Sequence, residues 1–186
     1  ILHADLTYID IFLRQPTSGK RFGTGMITGF PMSGRCQINR SVKVLPIKRF
    51  LKSFGEEFTQ YIGIAIDEPA RLDRVVKTSN QISLLAKYEY TEQMAFDLCK
   101  EYNLLSPVYD FAKRGGCWFC PNARNNELRH LRNNHRDLWN KLLELEEIPN
   151  LIGNKWNTLT QISIHNKEEQ FMWEDRQMNI FDFIGD

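Results

Sequence analysis

Apolar positions recur along this chain with two spacings, and the switches between them mark out its elements. Ile9, Ile11, Phe12 and Leu13 follow Asp5 and Thr7, either of which can cap a short helix over residues 9–13. Residues 15–31 are rich in glycine, threonine and basic side chains and read as a loop or hairpin. Pro46 suits the first turn of a helix whose apolar stripe is Ile47, Phe50 and Leu51, with Lys48, Arg49 and Lys52 outside it. Residues 60–66 are a continuous, isoleucine-rich run, the pattern of a strand buried on both faces, and residues 82–88 read as a second strand. Thr91 caps a helix running to Tyr102 with Met94, Ala95, Leu98 and Cys99 inward. Two further helices, 122–133 and 136–147, turn Leu128, Leu131, Leu138, Trp139, Leu142, Leu143 and Leu145 to a core. Beyond Pro149 the pattern weakens to a loop at 154–158 and a short helix at 167–175. The expected organisation is an α/β domain over 1–112, a helical cysteine-containing subdomain over 113–148, and an irregular extension over 149–186.

Composition agrees with a folded domain. The chain has 186 residues, 42% of them hydrophobic and 25% charged, enough for one real core. No apolar run approaches the roughly 20 residues that span a bilayer, and no signal-peptide pattern opens the chain, so no membrane partner and a cytoplasmic location are expected. A net charge of +1 neither favours nor excludes nucleic acid. The local cluster Arg124, Arg129, His130, Arg132, His135 and Arg136 is what suggests a DNA-related surface.

Candidate chemistry centres on four cysteines, Cys36, Cys99, Cys117 and Cys120, which without a secretion signal read as thiols or ligands rather than a disulfide framework. In Gly115-Gly116-Cys117-Trp118-Phe119-Cys120-Pro121 two thiols stand three positions apart within a turn, so both can face one metal. The four together suit a tetrahedral zinc site or a [4Fe–4S] cluster, and His130 is a further candidate ligand. Arg35, Arg40 and Lys43 bracket Cys36 and can meet an anion together. Asp67, Glu68 and Arg71 follow the first predicted strand, where open α/β sheets collect ligands; Glu68 and Arg71 can equally pair with each other. The glycine-rich loop at 15–31 offers amides for a phosphate but lacks the full Walker pattern. At the tail, Gln177, Ile180, Phe181 and Phe183 have the Q-x-x-I-F-x-F form of peptides that dock on sliding clamps, an apolar plug beside a glutamine anchor.

Taken as an ordered set, Gly29-Phe30-Pro31 to Cys36, the segment Gly63-Ile64-Ala65-Ile66-Asp67-Glu68-Pro69-Ala70-Arg71-Leu72, and Leu104-Leu105-Ser106-Pro107-Val108-Tyr109 before the knuckle resemble one family. It is the phosphoadenosine phosphosulfate (PAPS) reductase-like family of phage and mobile-element type, within the PP-loop adenine nucleotide alpha hydrolase superfamily; the resemblance covers roughly residues 7–147. It implies a partial doubly wound α/β sheet that binds an adenine nucleotide, ATP or PAPS. It places Arg35, Arg40 and Lys43 near the phosphate or sulfate, with Asp67, Glu68 and Arg71 lining the same mouth. The family's serine-glycine-glycine-aspartate-serine loop is absent and would belong upstream of Ile1. The chain therefore reads as the carboxyl-terminal part of such a protein, completed by an upstream segment or a companion chain. The reductase's catalytic cysteine tail is absent as well, which moves the expected chemistry from reduction to sulfur or adenylyl transfer. The alternative is a non-catalytic, metal-stabilised binding module tethered to a clamp by its tail.

Overall fold

A computed structural model describes residues 3–31, 36–55, 57–78, 80–113, 115–157 and 159–182, with the side chains of 178–182 outside the description. In chain order the helices and strands are α1 (Tyr8–Phe12), β1 (Ile27–Gly29), a π-helical stretch (Asn39–Val44) running into α2 (Leu45–Ser53), β2 (Gln60–Tyr61), α3 (Pro69–Val76), β3 (Gln81–Ile82), α4 (Leu84–Lys87) and α5 (Glu92–Glu101). A 3-10 turn (Pro107–Asp110), α6 (Asn125–Asn134), α7 (Arg136–Glu146), β4 (Leu151–Gly153) and α8 (Ile164–Asp182) follow. The mixture of helices with small parallel sheets is α/β in class, as the sequence suggests. The chain divides into two compact units, Ile1–Ser53 with Arg114–Asp186, and Phe54–Lys113. The first 53 residues thus join the carboxyl-terminal part instead of the segment that follows them.

The first unit is built on one apolar core. Thr7 caps α1 by a reciprocal bond with Asp10: the Thr7 hydroxyl accepts from the Asp10 amide at 3.2 Å, and the Asp10 carboxylate accepts from the Thr7 amide at 2.7 Å. Tyr8, Ile11 and Phe12 then point inward to meet Phe30, Leu128, Leu131, Trp139, Leu142, Leu145 and Phe171. Between α1 and the π-helical stretch, a strand replaces part of the expected loop. β1 pairs in parallel with β4, Ile27 opposite Leu151 and Gly29 opposite Gly153. Both glycines are required by proximity, because a Cβ on Gly29 would lie 2.5 Å from the Gly153 carbonyl oxygen and one on Gly153 2.4 Å from that of Phe30.

The second unit is a βαβ arrangement with little core. β2 and β3 run parallel, Gln60 opposite Gln81 and Tyr61 opposite Ile82, joined through α3. The expected seven-residue buried strand is corrected to two residues, with Ile64 and Ala65 buried beyond its end and Tyr61 largely exposed. The strand expected over 82–88 ends at Ile82 because the Ser83 hydroxyl caps α4, accepting from the Ala86 amide at 3.3 Å while donating to the Ile64 carbonyl. Thr91 caps α5 as expected, accepting from the Met94 amide at 3.2 Å. The inward stripe of that helix is corrected: Met94 is 46% exposed, Leu98 40%, and Cys99 is exposed, while Ala95 and Phe96 are partly covered.

The short helix expected over 167–175 is instead α8, running from Ile164 to Asp182. Its start is held by Glu146 at the end of α7. That carboxylate accepts from the amides of Ile164 (3.0 Å), His165 (3.1 Å) and Trp156 (3.2 Å), from the Ser163 hydroxyl (2.7 Å) and from His165 Nδ1 (2.9 Å). Burial alone would push Glu146 up; the donors outweigh it and hold the carboxyl below its ordinary value. The same pair raises His165, chiefly through its hydrogen bond to Glu146.

Candidate functional site

The CxxC turn closes through the Cys120 amide, which donates to the Cys117 carbonyl at 2.9 Å. The glycines before it do not take a left-handed conformation, and a side chain at either would meet nothing within 4 Å, so the turn does not depend on them. Pro121 is buried and its carbonyl accepts from Asn157 Nδ2 at 2.8 Å, which joins the knuckle to the loop after β4. Phe119 enters the core and stacks face to face on Tyr8 of α1 at 3.7 Å, while Trp118 meets both rings edge-on at 5.3 Å. The aromatic pair inside the CxxC sequence is thus its anchor.

Cys36 and Cys117, far apart in sequence, pack against this same core. The Cys36 sulfur accepts from the Asn39 amide at 3.4 Å, and Lys43 Nζ donates to the Cys117 sulfur at 3.4 Å across 74 positions. Cys36, Cys117 and Cys120 are all half-buried thiols of the first unit; Cys99 is an exposed thiol of the second. Among the described residues no group of three or more His, Cys, Asp or Glu side chains is arranged to hold a metal ion. His130 lies on α6 beside Asn134, with its Nδ1 3.3 Å from the amide nitrogen.

Of the residues read as anion-binding, Arg40 and Lys43 are exposed on the π-helical stretch, and Arg35 lies outside the described residues. Asp67, Glu68 and Arg71 belong to the second unit and have local partners there. Asp67 accepts from the Glu92 amide at 3.0 Å, at the start of α5; Glu68 accepts from the Ala65 amide at 3.4 Å and pairs with Arg71. In the tail, Gln177 is exposed on α8 and Ile180 and Phe181 lie in its last turn; Phe183 is outside the described residues.

A feature absent from the sequence reading is what the basic cluster on α6 and α7 does. Arg129 pairs with Glu174 and, at 2.8 Å, with Asp175; Arg132 pairs with Glu168 at 2.8 Å and Asp175 at 2.7 Å; Arg136 reaches Glu168 at 3.1 Å. Trp139 Nε1 donates to Glu168 at 2.6 Å, and the Arg129 guanidinium lies 4.5 Å from the Phe171 ring centre. Burial would raise Glu168, but Arg132, Arg136 and Trp139 hold it below its ordinary value; Arg132 and Arg129 do the same for Asp175. Three cations of the suspected nucleic-acid surface therefore dock α8. The signal was in the spacing, since 129, 132 and 136 share one helix face and 168 and 175 another.

No family model matches the chain, and no curated protein or solved structure matches it either. Among the described residues no helix is long and apolar enough to cross a membrane.

Proposed function

We propose that this chain is a PAPS reductase-like protein of the PP-loop superfamily, acting on an adenine nucleotide in sulfur- or adenylyl-transfer chemistry, with a soft-metal thiol centre in its first unit. The observation that carries the reading is the 3.4 Å contact from Lys43 Nζ to the Cys117 sulfur, which seats the basic segment after Cys36 on the CxxC turn. The donor chemistry fits: three thiols at one core edge suit zinc or an iron–sulfur cluster, for which carboxylate and water ligands would be poor substitutes. Cys36, Cys117 and Cys120 would hold the group, which supplies a soft cation that keeps the thiolates together and ties the knuckle to the segment after Cys36. Arg40 and Lys43, exposed beside that centre, bind the phosphate or sulfate of the nucleotide and offset charge that builds on phosphorus or sulfur during transfer. The parallel β2–α3–β3 unit supports the doubly wound reading, since such sheets are assembled from it.

Calorimetric titration of the whole protein with ATP and with PAPS tests the proposal. Binding of at least one nucleotide, weakened about tenfold or more when Arg40 and Lys43 are both changed to alanine, is the expected result. Absence of binding by either nucleotide, or binding indifferent to both substitutions, would overturn it.

A further inference from the structure

Tyr8 carries a polar atom that its surroundings leave unused. Its ring is 7% exposed, stacked on Phe119 at 3.7 Å and flanked by Phe12 and Trp118, yet its hydroxyl has no hydrogen-bond partner. Glu127 Oε1 and Trp156 Nε1 are the other described buried atoms in this condition. A phenylalanine at position 8 would make the same stack without burying a hydroxyl, so the core gains nothing from the oxygen. Burial, and then the neighbouring Cys36, push the phenol far above its ordinary value, so the group stays protonated and is available as a donor. The neighbour is the thiol whose sulfur already accepts the Asn39 amide at 3.4 Å. A thiolate bound to a metal accepts such bonds more strongly than a thiol does, and donors to ligand sulfur stabilise and tune thiolate centres.

We propose that the Tyr8 hydroxyl is the donor held for the bound form of the centre: it hydrogen-bonds to the Cys36 sulfur once that sulfur is a metal thiolate. The inference rests on the metal reading above and adds a positioning residue that the CxxC spacing could not reveal. Tyr8 then acts at both sides of the site, its ring holding Phe119 of the knuckle and its hydroxyl meeting the distant cysteine. It also gives the two forms of the protein opposite preferences at position 8. The metal-free form is better served by an apolar ring, and the metal-bound form by the phenol.

The test compares the parent protein with Tyr8→Phe, both purified without oxygen, by elemental analysis of zinc and iron after graded chelator exposure and by thermal melting of loaded and stripped samples. The expected result is metal released from Tyr8→Phe at about tenfold lower chelator concentration, while the stripped variant melts no lower than the stripped parent. Equal retention by the two proteins would overturn the role of the hydroxyl while leaving the metal reading intact, and would assign the hydroxyl to a trapped water. A stripped variant that melts well below the stripped parent would also overturn it, because the oxygen would then serve the core. Absence of metal from the parent would overturn this inference together with the reading beneath it.

Discussion

Helices α5 and α7 carry the same apolar spacing and meet different fates. On α7, Trp139 and Leu142 are fully buried and Leu145 nearly so; on α5, Met94 and Leu98 stay close to half exposed. The difference runs through the two units. The first has one cluster of large buried side chains from α1, α6, α7, β4 and α8, with a layer of ion pairs across it. The second buries Ile64, Ala65, Val75 and Ala112 while leaving Val76 83% and Leu104 76% exposed. Periodicity shows which face of a helix is apolar; whether anything covers that face is a property of the rest of the fold.

Truncation should separate the two units most sharply. Trp139→Ala removes the largest fully buried ring of the first unit and its bond to Glu168, and should cost about 3–5 kcal/mol in denaturant unfolding. Leu98→Ala, a change of similar kind on α5, should cost under about 1 kcal/mol because much of that side chain is already in water. Similar losses at the two sites would break the contrast.

A smaller effect is expected at the α7–α8 junction. Glu146→Gln keeps the size of the side chain but removes the charge from an acceptor of five bonds, and should cost about 2 kcal/mol. The pH dependence has two limbs. Glu146, Glu168 and Asp175 have lowered values, so their contribution is complete above their ordinary values of 4.5, 4.5 and 3.8 and is lost as pH falls below them. His165 is raised, so its contribution is complete below its ordinary 6.5 and is lost as pH rises through its folded value. Thermal melts should therefore place the greatest stability of the first unit between pH 4.5 and 6.5, with the steeper decline on the acid side. In Glu146→Gln the alkaline limb should flatten.

Much of the first unit was legible in local signals. Thr7 with Asp10, Thr91, and the leucines of α6 and α7 act over a few residues, where spacing and capping chemistry are informative. What escaped depends on contacts between distant segments. β1 and β4 are three residues each and exist through their pairing, so neither has a length that alternation can reveal. α8 is docked by acids as much as by apolar side chains, which hid its extent from a hydrophobic reading. At the candidate site, the CxxC spacing was plain and the basic residues near Cys36 were visible. The seat of Lys43 on Cys117 and the burial of Tyr8 against Phe119 were not, because both cross most of the chain.

The central claim is that Cys36, Cys117 and Cys120 hold a soft metal, and metal stoichiometry tests it most directly. Protein purified without oxygen should contain either about one zinc or about four iron atoms per chain, and Cys117→Ser with Cys120→Ser should lose that metal while staying folded by circular dichroism. A parent protein containing neither metal, or a double variant that keeps it in full, would contradict the account.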